Sequence, residues 1–541
     1  MKKKYLLIPA ACIVLLTTVS FKSDFFEIAK QIEIFTTLFK ELNMNYVDEV
    51  NPAQLMDSAI EGMLSELDPY TVFWNEQQVE DARINNTGEY TGIGATVYTR
   101  NKKITIVETY KDYPADKAGL KPGDEIIKIG DITIADFDDD AGDLLKGAPG
   151  TAIPLTYKRQ GKLQNTSIKR EAIDISAVPY FKLISNHVGY IVLSKFNKKA
   201  SSETAAAIKD LKEQGATSLI LDLRGNPGGL LSEAINVSNL FLPKGQLITT
   251  TKSVIEKYNK EYFTPNDPLD VNIPLAVLVN GRSASASEIV AGSLQDYDRA
   301  VIVGARSFGK GLVQRPKELT YGTQLKVTIS RYYTPSGRCI QALDYWHRDS
   351  QGNAVRTDVA DYNEFKTKNG RKVYDGGGVL PDIEVSSAKL SAVTEALLRD
   401  MSIFNYATQF YYNHNYDQLD KFKYSDKDYA DFKAYLKESG FSYKTETEKS
   451  LENVIINAEK DGLQADISSA YSDLSNKIDT AKAQELDTKE KEISKIIIDE
   501  LIKRYFYREG LYDYHIAHNE EIAEATAILG NSSKYQAILN P

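Results

Sequence analysis

The sequence predicts a multidomain α+β protein, with helical regions at both ends, a small β-rich domain and an α/β core. Three observations support this prediction. The chain has 541 residues, which suffices for three or four domains of roughly 100–200 residues each. Its apolar residues first recur at helical spacing, then in short strands punctuated by glycine, and then in strands that alternate with helices. The composition, 42% hydrophobic and 26% charged, is ordinary for a globular protein.

The N-terminus has the pattern of a secretory signal. Lysines at positions 2–4 precede an apolar run over residues 5–19, and polar residues follow. We expect residues 1–20 to be a signal peptide. An uncleaved membrane anchor is the alternative, although the run is short for a spanning helix of about 20 residues. The protein is then exported, into a bacterial periplasm, either soluble or anchored to the inner membrane. Removing the signal removes Cys12 and leaves Cys339, so we expect no internal disulfide.

Helical periodicity marks both ends of the chain. Within residues 21–87, apolar residues recur at steps of three and four. They are Phe25, Ile28, Ile32, Phe35, Leu38 and Leu42. Residues 389–541 contain amphipathic pieces at 451–455 and 493–501, so we expect a helical C-terminal accessory domain there.

Two regions between these helical ends contain strands. Residues 88–174 carry short β segments separated by glycine, a helical turn at 114–120 and a longer helix that would end at Leu145. Residues 175–388 alternate apolar strands with helices, which is typical of an α/β layer. The strands are predicted at 190–193, 218–223, 275–279 and 300–303, and the helices at 200–214, 230–241 and 285–295.

Charge and incomplete motifs exclude several functions. The net charge of −10 argues against a nucleic-acid binder, whose phosphate contacts need a basic surface. Residues 304–311 nearly form a phosphate-binding loop, but Gly311 replaces the Ser or Thr that would ligate magnesium. His515 and His518 have metal-ligand spacing without an adjacent acid, so we expect a solvent-facing helix. Residues 386–389 fit S-x-x-K but lack its companion motifs. We therefore predict no cofactor, no metal and no nucleic acid.

Three turns after predicted strands carry candidate catalytic groups. Residues 221–229 present backbone amides that can stabilise an oxyanion, although a tight strand-to-helix turn gives the same pattern. Ser285 opens a helix of small residues, where N-capping and close packing are the alternative. Lys310 lies among glycines and apolar residues. Desolvation there would lower its pKa from about 10.4, so that a neutral amine could act as a base. Residues 374–383 have no reactive group and are expected to form a structural turn.

Together these motifs resemble the carboxyl-terminal processing peptidases, also called tail-specific proteases. The resemblance covers roughly residues 24–385, including Leu-Asp-Pro-Tyr-Thr at 67–71 and Gly-Val-Leu-Pro-Asp-Ile at 378–383. It implies a PDZ domain at 88–174 and a serine peptidase core at 175–388, with a layered fold like that of crotonases and Clp proteases. The implied activity is an endopeptidase that recognises and cleaves near the C-terminal tails of exported proteins.

The resemblance also assigns the site residues. The family's nucleophile, the middle serine of Ser-Ala-Ser-Ala-Ser-Glu, falls on Ser285, and its lysine base falls on Lys310, 25 positions later. Its glutamine falls on Gln314. On a helix, this spacing of four would place Gln314 on the same face as the lysine, where it could orient the amine. Gly229 and Ala286 match the residues whose backbone amides form the oxyanion hole.

The PDZ domain would supply substrate recognition. The resemblance places its peptide-binding loop at Gly92, Ile93, Gly94 and Ala95. Amides in such a loop hold the terminal carboxylate of a peptide that adds to the sheet as a strand. The implied partners are proteins or peptides with free C-termini. The sequence leaves open a membrane association through the N-terminus, a homo-oligomer and an adaptor protein.

Three other functions compete with the peptidase. A histidine-based hydrolase would need one of five histidines in a glycine- or serine-rich loop, and none lies in one. A non-catalytic scaffold that binds tails, or a crotonase-like acyl-CoA enzyme, would not need both Ser285 and Lys310. One segment departs from the family pattern. Residues 341–372 are longer and more polar than the family predicts, and they can cap or extend the site.

Overall fold

The computed structural model describes residues 4–137, 140–349, 352–385 and 390–540, with side chains from residue 25 onward except at position 186. The chain divides into two compact units. One comprises the residues up to Glu76 together with Gln314–Thr328, and the other comprises Gln77–Val313 together with the residues from Ile329 onward. Three features of the sequence lie outside the described residues: the lysines at positions 2 and 3, the S-x-x-K segment at 386–389, and the boundary predicted after residue 388.

The first unit contains two helices and a short strand pair. The helices span Lys4–Asn45 and Pro52–Ser65. The second helix ends at Ser65, before Pro69, and proline disfavours helical geometry in the residue before it. The strand Val72–Trp74 pairs antiparallel with residues 324–326. Among the described residues we find no helix with a stretch long and apolar enough to cross a membrane.

The β-rich region of the second unit follows a helix at Glu76–Thr87 and is built on a six-stranded sheet. Its strands span Ala95–Arg100, Lys103–Thr109, Glu125–Ile129, Ile132–Thr133, Ala152–Arg159 and Lys162–Lys169, and all their pairings are antiparallel. A separate pair joins Glu89–Gly92 to Glu171–Asp174, so the two ends of the region meet. The buried Ile104 and Ile106 lie in one of these strands and point the same way, as alternate residues of a strand do.

The helical parts of this region are short. One turn of helix spans Pro114–Lys117, where a helical turn was predicted. The longer helix predicted to end at Leu145 is wrong, because the structure has a five-residue 3-10 helix, Ala141–Leu145. Gly142 lies inside it and Gly147 follows it, and glycine disfavours a longer helix by its backbone entropy.

A second six-stranded sheet forms the centre of the α/β core. In spatial order its strands are Tyr180–Ile184, Val188–Val192, Ser218–Asp222, Leu275–Val279, Val301–Gly304 and Ile383–Glu384. Neighbouring strands are parallel except for the first pair, which is antiparallel. All four strands predicted for the core fall within this sheet.

Both faces of this sheet are buried. Leu221 packs on one face, under three helices, and Ile220 packs on the other face, against Ile528 from the C-terminal region. The three helices are Ala200–Glu213, Leu231–Asn239 and Ala286–Asp296. Because successive residues of a strand point to opposite faces, burial of both faces requires uninterrupted apolar runs. This is why the strands stand out in the sequence.

Further strands surround the core. They span Leu247–Lys252, Lys260–Phe263, Leu312–Glu318, Gln324–Tyr333, Leu343–Arg348, Ala354–Arg356, Glu364–Lys366 and Lys372–Tyr374. Residues 250–252 pair antiparallel with residues 331–333. The last four strands form two antiparallel pairs, which lie mostly in the segment at 341–372 that departs from the family pattern.

The C-terminal region is helical, as predicted. Its helices span Ala392–Arg399, Ser402–Asn413, Asp426–Glu438, Glu446–Lys460, Gln464–Ala483, Glu485–Thr488, Glu490–His518, Glu520–Leu529 and Ser532–Leu539. The seventh is broken at Tyr507, whose φ is 58°, and its two halves fold back so that His515 contacts Asp499. The last two helices pack on the core sheet. The end of this region is therefore a layer of the core rather than a separate accessory body.

Candidate active site

Ser285 lies at the start of the helix Ala286–Asp296, after the turn that leaves the strand Leu275–Val279. Its backbone has φ 55° and ψ −112°, a conformation that residues other than glycine rarely adopt. The residue is half-buried. Strained backbone of this kind clusters at functional turns. The conformation places the serine at the positive end of the helix dipole.

The two neighbouring serines have structural roles. The hydroxyl of Ser283 donates to the carbonyl of Leu223 at 2.8 Å, and that of Ser287 donates to the carbonyl of Asn226 at 2.9 Å. Both serines are fully buried. The close packing that the sequence left as an alternative therefore applies to Ser283 and Ser287, and Ser285 is the serine that remains half-exposed.

The glycine loop packs directly against Ser285. A Cβ atom on Gly228 would lie 2.9 Å from the Cβ of Ser285 and 2.9 Å from the amide nitrogen of Ala286, and Gly228 has φ 98°. Asn226 ties the two turns together, because its carbonyl accepts from the amide of Ala284 at 3.0 Å and its side chain accepts from the amide of Gly228 at 2.9 Å. The structure thus brings the predicted oxyanion loop to the predicted nucleophile.

Two backbone amides of this turn are available to a substrate. Within the part of the chain that the structure describes, the amides of Gly229 and Ala286 have no hydrogen-bond acceptor. Gly229 presses against Phe196, where a Cβ atom would lie 2.3 Å from the carbonyl oxygen. Unpaired N–H groups held rigidly beside a serine can stabilise the negative oxygen of a tetrahedral intermediate.

The buried carboxylate of Glu288 links the Ser285 turn to the Lys310 segment. Its Oε2 accepts from the amide of Ser285 at 2.8 Å and from the amide of Lys310 at 2.9 Å. Its Oε1 accepts from the hydroxyl of Ser307 at 2.5 Å and from the amide of Gly309 at 2.7 Å. Burial raises the pKa of Glu288 to about 7, and these four hydrogen bonds oppose that rise only in part.

Glu288 was not predicted as a site residue. The only signal in the sequence is its position, three residues after the serine that precedes the helix, which is the position of the acid in a capping box. That signal indicates a helix cap and no more. The contacts with residues 307–310 arise from the fold, which brings the segment after the fifth core strand against the start of the helix.

Lys310 lies in an irregular segment just before the strand Leu312–Glu318 and is half-buried. Tyr332 forms a second link between this segment and Ser285. Its amide donates to the carbonyl of Gly311 at 2.9 Å, and its hydroxyl donates to the carbonyl of Ser285 at 3.3 Å. Glu288 and Tyr332 therefore fix the backbone at Ser285 relative to the backbone around Lys310.

Gln314 lies on the strand Leu312–Glu318, so the helical geometry predicted for it is wrong. Pro316 follows two residues later, and proline in a helix interior removes a hydrogen bond and clashes with the preceding turn. The side-chain amide of Gln314 donates to Thr328 Oγ1 at 3.1 Å. The Thr328 hydroxyl in turn donates to Asp68 Oδ1 at 3.0 Å.

The predicted peptide-binding loop is Gly92, Ile93, Gly94 and Ala95. The carbonyl of Ile93 accepts from the amide of Ala115 at 2.8 Å, and the carbonyl of Gly94 accepts from the amide of Tyr110 at 2.9 Å. Gly94 has φ 69°, and a Cβ atom there would lie 2.3 Å from the Cβ of Tyr113. Glycine is therefore required at position 94. The hydrogen bonds to the carbonyl groups of Ile93 and Gly94 hold the loop in place.

The C-terminal region contacts the strand that leads into the glycine loop. Arg224 lies 2.6 Å from Asp222 Oδ2, donates to Asn519 Oδ1 at 2.8 Å and lies 3.3 Å from Glu521 Oε2. Its side chain is largely buried. Asp222 also accepts from the hydroxyl of Tyr190 at 2.7 Å. Residues 519–521 thus brace the turn that carries the predicted oxyanion loop.

His515 and His518 lie on a helix, as predicted; His518 is exposed, whereas His515 is half-buried and does not face solvent as expected. His515 Nε2 lies 2.9 Å from Asp499 Oδ1, and the ring of His518 stacks on Tyr514 at 4.0 Å between centroids. In the described ranges, no group of three or more His, Cys, Asp or Glu side chains is arranged to hold a metal ion.

Four family models match parts of this chain. The peptidase family S41 matches residues 187–345, and the PDZ domain matches residues 91–169. The model described as probable PDZ-protease, C-terminal helical domain, matches residues 393–529, and the activating protease CtpB N-terminal domain matches residues 18–78. The first match contains Ser285 and Lys310.

The chain is 39% identical over 321 residues to a carboxy-terminal-processing protease of Bartonella bacilliformis, covering 58% of this chain and 73% of that protein. This chain belongs to the carboxy-terminal processing proteases. It is also 33% identical to the carboxy-terminal processing protease CtpA of Bacillus subtilis, over 66% of this chain and 75% of that protein. A solved photosystem II D1 C-terminal processing protease is 25% identical over 67% of this chain and 89% of that chain, with a TM-score of 0.36.

These findings confirm the predicted family and the multidomain α+β organisation. The protein is a serine-type peptidase with a helical N-terminal region, a PDZ domain, a peptidase core and a helical C-terminal domain. Because a peptidase with a PDZ domain acts on polypeptide chains, its substrates are peptides or proteins.

Proposed function

We propose that this protease cleaves exported proteins near their C-termini, with Ser285 as nucleophile and Lys310 as general base. The observation that carries the proposal is the shared carboxylate of Glu288. A single oxygen atom of Glu288 accepts hydrogen bonds from the amides of both residues, so their backbones keep a constant relation. A nucleophile and its base must be held in this way for proton transfer between them.

The reaction proceeds through an acyl-enzyme. The neutral amine of Lys310 takes the proton of the Ser285 hydroxyl as Oγ bonds to the scissile carbonyl carbon. The amides of Gly229 and Ala286 donate to the oxyanion that forms. Lys310 then gives its proton to the leaving amine as the C–N bond breaks. Lys310 then takes a proton from a water molecule as the water oxygen bonds to the acyl carbon. When the bond from this carbon to Ser285 Oγ breaks, Lys310 returns the proton to Oγ.

We assign Gln314 an orienting role toward the lysine amine, as the family resemblance implies. Its side-chain nitrogen donates to Thr328 Oγ1 at 3.1 Å, which gives the amide plane a defined orientation. Gln314→Ala should lower activity by less than a Lys310 variant, since it removes an orienting contact and leaves the base.

Substrate recognition is assigned to the PDZ loop at Gly92, Ile93, Gly94 and Ala95. Its amides would hold the terminal carboxylate of a substrate whose last residues add as a strand. Residues 1–20 are proposed to export the protein, as signal or anchor, to a bacterial periplasm. Fractionation of the native cell tests this part, and full-length soluble protein in the cytoplasm would contradict it.

The catalytic assignment is tested with a peptide that has a free, apolar C-terminus. Ser285→Ala and Lys310→Arg should both be inactive while remaining folded, because arginine does not give up its proton under these conditions. Ser202→Ala and Lys209→Arg, on the exposed side of the helix Ala200–Glu213, are matched controls that should keep full activity. Turnover by purified Lys310→Arg would overturn the lysine-base mechanism.

A further inference from the structure

The main chain around Lys310 is held on several sides. The amides of Gly309 and Lys310 donate to Glu288, and the carbonyl of Gly311 accepts from Tyr332. Two further contacts come from the start of the segment at 341–372, whose first residues fall inside the family match over residues 187–345. The carbonyl of Gly309 accepts from the amide of residue 342 at 2.9 Å, and the amide of Gly311 donates to the side chain of Gln341 at 2.7 Å.

Both glycines beside Lys310 are in van der Waals contact with this segment. A Cβ atom on Gly309 would lie 2.4 Å from the Cβ of Ala342, and one on Gly311 would lie 2.8 Å from the amide nitrogen of Gln341. Because positions 309 and 311 have no side chains, the backbone of residues 341–342 can lie closer to the main chain beside Lys310 than it could if either position carried one.

The side chain of Gln341 is itself oriented. Its Oε1 accepts from the amide of Gly311, and its Nε2 donates to the carbonyl of Leu343 at 2.9 Å. The oxygen and the nitrogen of a carboxamide lie in one plane. The hydrogen bond from Nε2 to Leu343 therefore fixes the direction in which Oε1 faces the Gly311 amide. Gln341 is half-buried. Removing its side-chain acceptor would leave the Gly311 amide without this partner, and an unpaired amide shielded from water costs free energy.

We propose that Gln341 is a positioning residue, which fixes the main chain on the C-terminal side of Lys310 and thereby the direction of its amine. The proposal rests on Lys310 being the base. Glu288 holds the lysine from its N-terminal side and Gln341 holds the next residue from the opposite side. The first residues of the segment at 341–372 then help to position Lys310.

Two variants of Gln341 separate positioning from general stability. Gln341→Leu keeps the volume and removes the acceptor, and we expect kcat to fall about tenfold to a hundredfold, with KM unchanged. Gln341→Glu keeps an acceptor for Gly311 and adds a negative charge. Its kcat should exceed that of the leucine variant, and the acid limb of its kcat–pH profile should move to higher pH, because a nearby carboxylate favours protonated lysine. Glu288 and Tyr332, which also face this segment, are unchanged in both variants.

The controls make each result decisive. Gln214→Leu, at the end of the helix Ala200–Glu213, removes a side chain that donates to Asp210 at 2.7 Å and should leave kcat and the pH profile unchanged. Unchanged kcat in Gln341→Leu overturns the proposal. If that variant does not fold, an acid limb that stays in place in Gln341→Glu overturns it as well. Activity of Lys310→Arg would instead overturn the lysine-base mechanism, so the two failures are distinguishable.

Discussion

At the residue scale, the turn that carries Ser285 packs against Gly228, a glycine with no room for a side chain. In Gly228→Ala, the added Cβ would collide with Ser285 and Ala286 in a backbone conformation with φ 98°. We expect a loss of about 1–3 kcal/mol in the free energy of unfolding. We also expect a loss of about a hundredfold in kcat, because the proposed nucleophile and the proposed oxyanion amides are displaced together.

The matched control for this prediction is Gly281→Ala. Gly281 lies in the turn that carries Ser285, but the nearest atom to a Cβ there would be the carbonyl oxygen of Arg306, at 4.0 Å. Urea denaturation and hydrolysis of the tail peptide measure the two effects. A Gly228→Ala protein with the stability and kcat of Gly281→Ala would contradict the close packing described here.

The raised pKa of Glu288 makes stability depend on pH. Its pKa is about 7 in the folded protein and 4.5 for an unperturbed carboxyl. The folded state therefore binds this proton more tightly than the unfolded state. The contribution of Glu288 to the free energy of unfolding is fully present below about pH 4.5 and is lost as the pH rises through about 7. The total loss is about 3 kcal/mol, since one pKa unit corresponds to about 1.4 kcal/mol.

Comparison with Glu288→Gln measures this contribution, because glutamine does not titrate. The free energy of unfolding of the unmodified protein should fall relative to that of the variant between about pH 4.5 and pH 7, and the difference should then level off. Urea denaturation across this range gives both curves, with the exposed Glu213→Gln as control. A difference that is constant with pH would show that Glu288 has an ordinary pKa.

At the element scale, the C-terminal helices complete the peptidase core. The helix Glu520–Leu529 places Ile528, which is fully buried, on the sheet face that the other core helices leave uncovered. Ile528→Ala should lower the free energy of unfolding by about 2–5 kcal/mol through lost contacts and a cavity. Ile456→Ala is the control, because Ile456 is about half exposed, at 49%.

This prediction separates a core layer from an accessory body. Chemical denaturation monitored through the core should shift for Ile528→Ala and not for Ile456→Ala. If Ile528→Ala left the denaturation of the peptidase core unchanged, the C-terminal helices would be independent of it. The contacts of Arg224 with Asn519 and Glu521 predict that activity falls along with stability, because the same helices brace the glycine loop.

At the scale of the whole molecule, the C-terminal domain also contacts the PDZ domain. Arg508 donates two hydrogen bonds to Glu108, at 2.6 and 2.7 Å, and the hydroxyl of Tyr507 donates to Asp116 Oδ1 at 2.8 Å. These contacts lie at the break in the long helix, where Tyr507 has a positive φ. One helical region therefore contacts both the PDZ domain and the core.

Substrate binding should depend on a free C-terminus. Amidation removes the charge and one acceptor of the terminal carboxylate, so amides at Gly92–Ala95 lose their partner. Unpaired donors cost about 1–3 kcal/mol, which corresponds to roughly tenfold to a hundredfold weaker binding. Acidic last residues should also weaken binding, since PDZ side-chain pockets are generally apolar. Titration with free, amidated and acidic peptides measures this, and equal affinities would refute tail recognition while leaving the peptidase assignment intact.

The sequence by itself determined the family, the order of the domains and the strands of the core sheet. These follow from local signals: short motifs, and apolar runs that record burial on both faces of a strand. Only the tertiary structure decided which groups meet. Gln314 lies on a strand because Pro316 and pairing override the helical spacing, and Glu288 joins residues 285 and 310 because a buried carboxylate must find donors wherever the fold supplies them. An amphipathic helix likewise specifies that one face is buried but not what covers it, so the packing of the last helices on the core sheet became visible only in three dimensions.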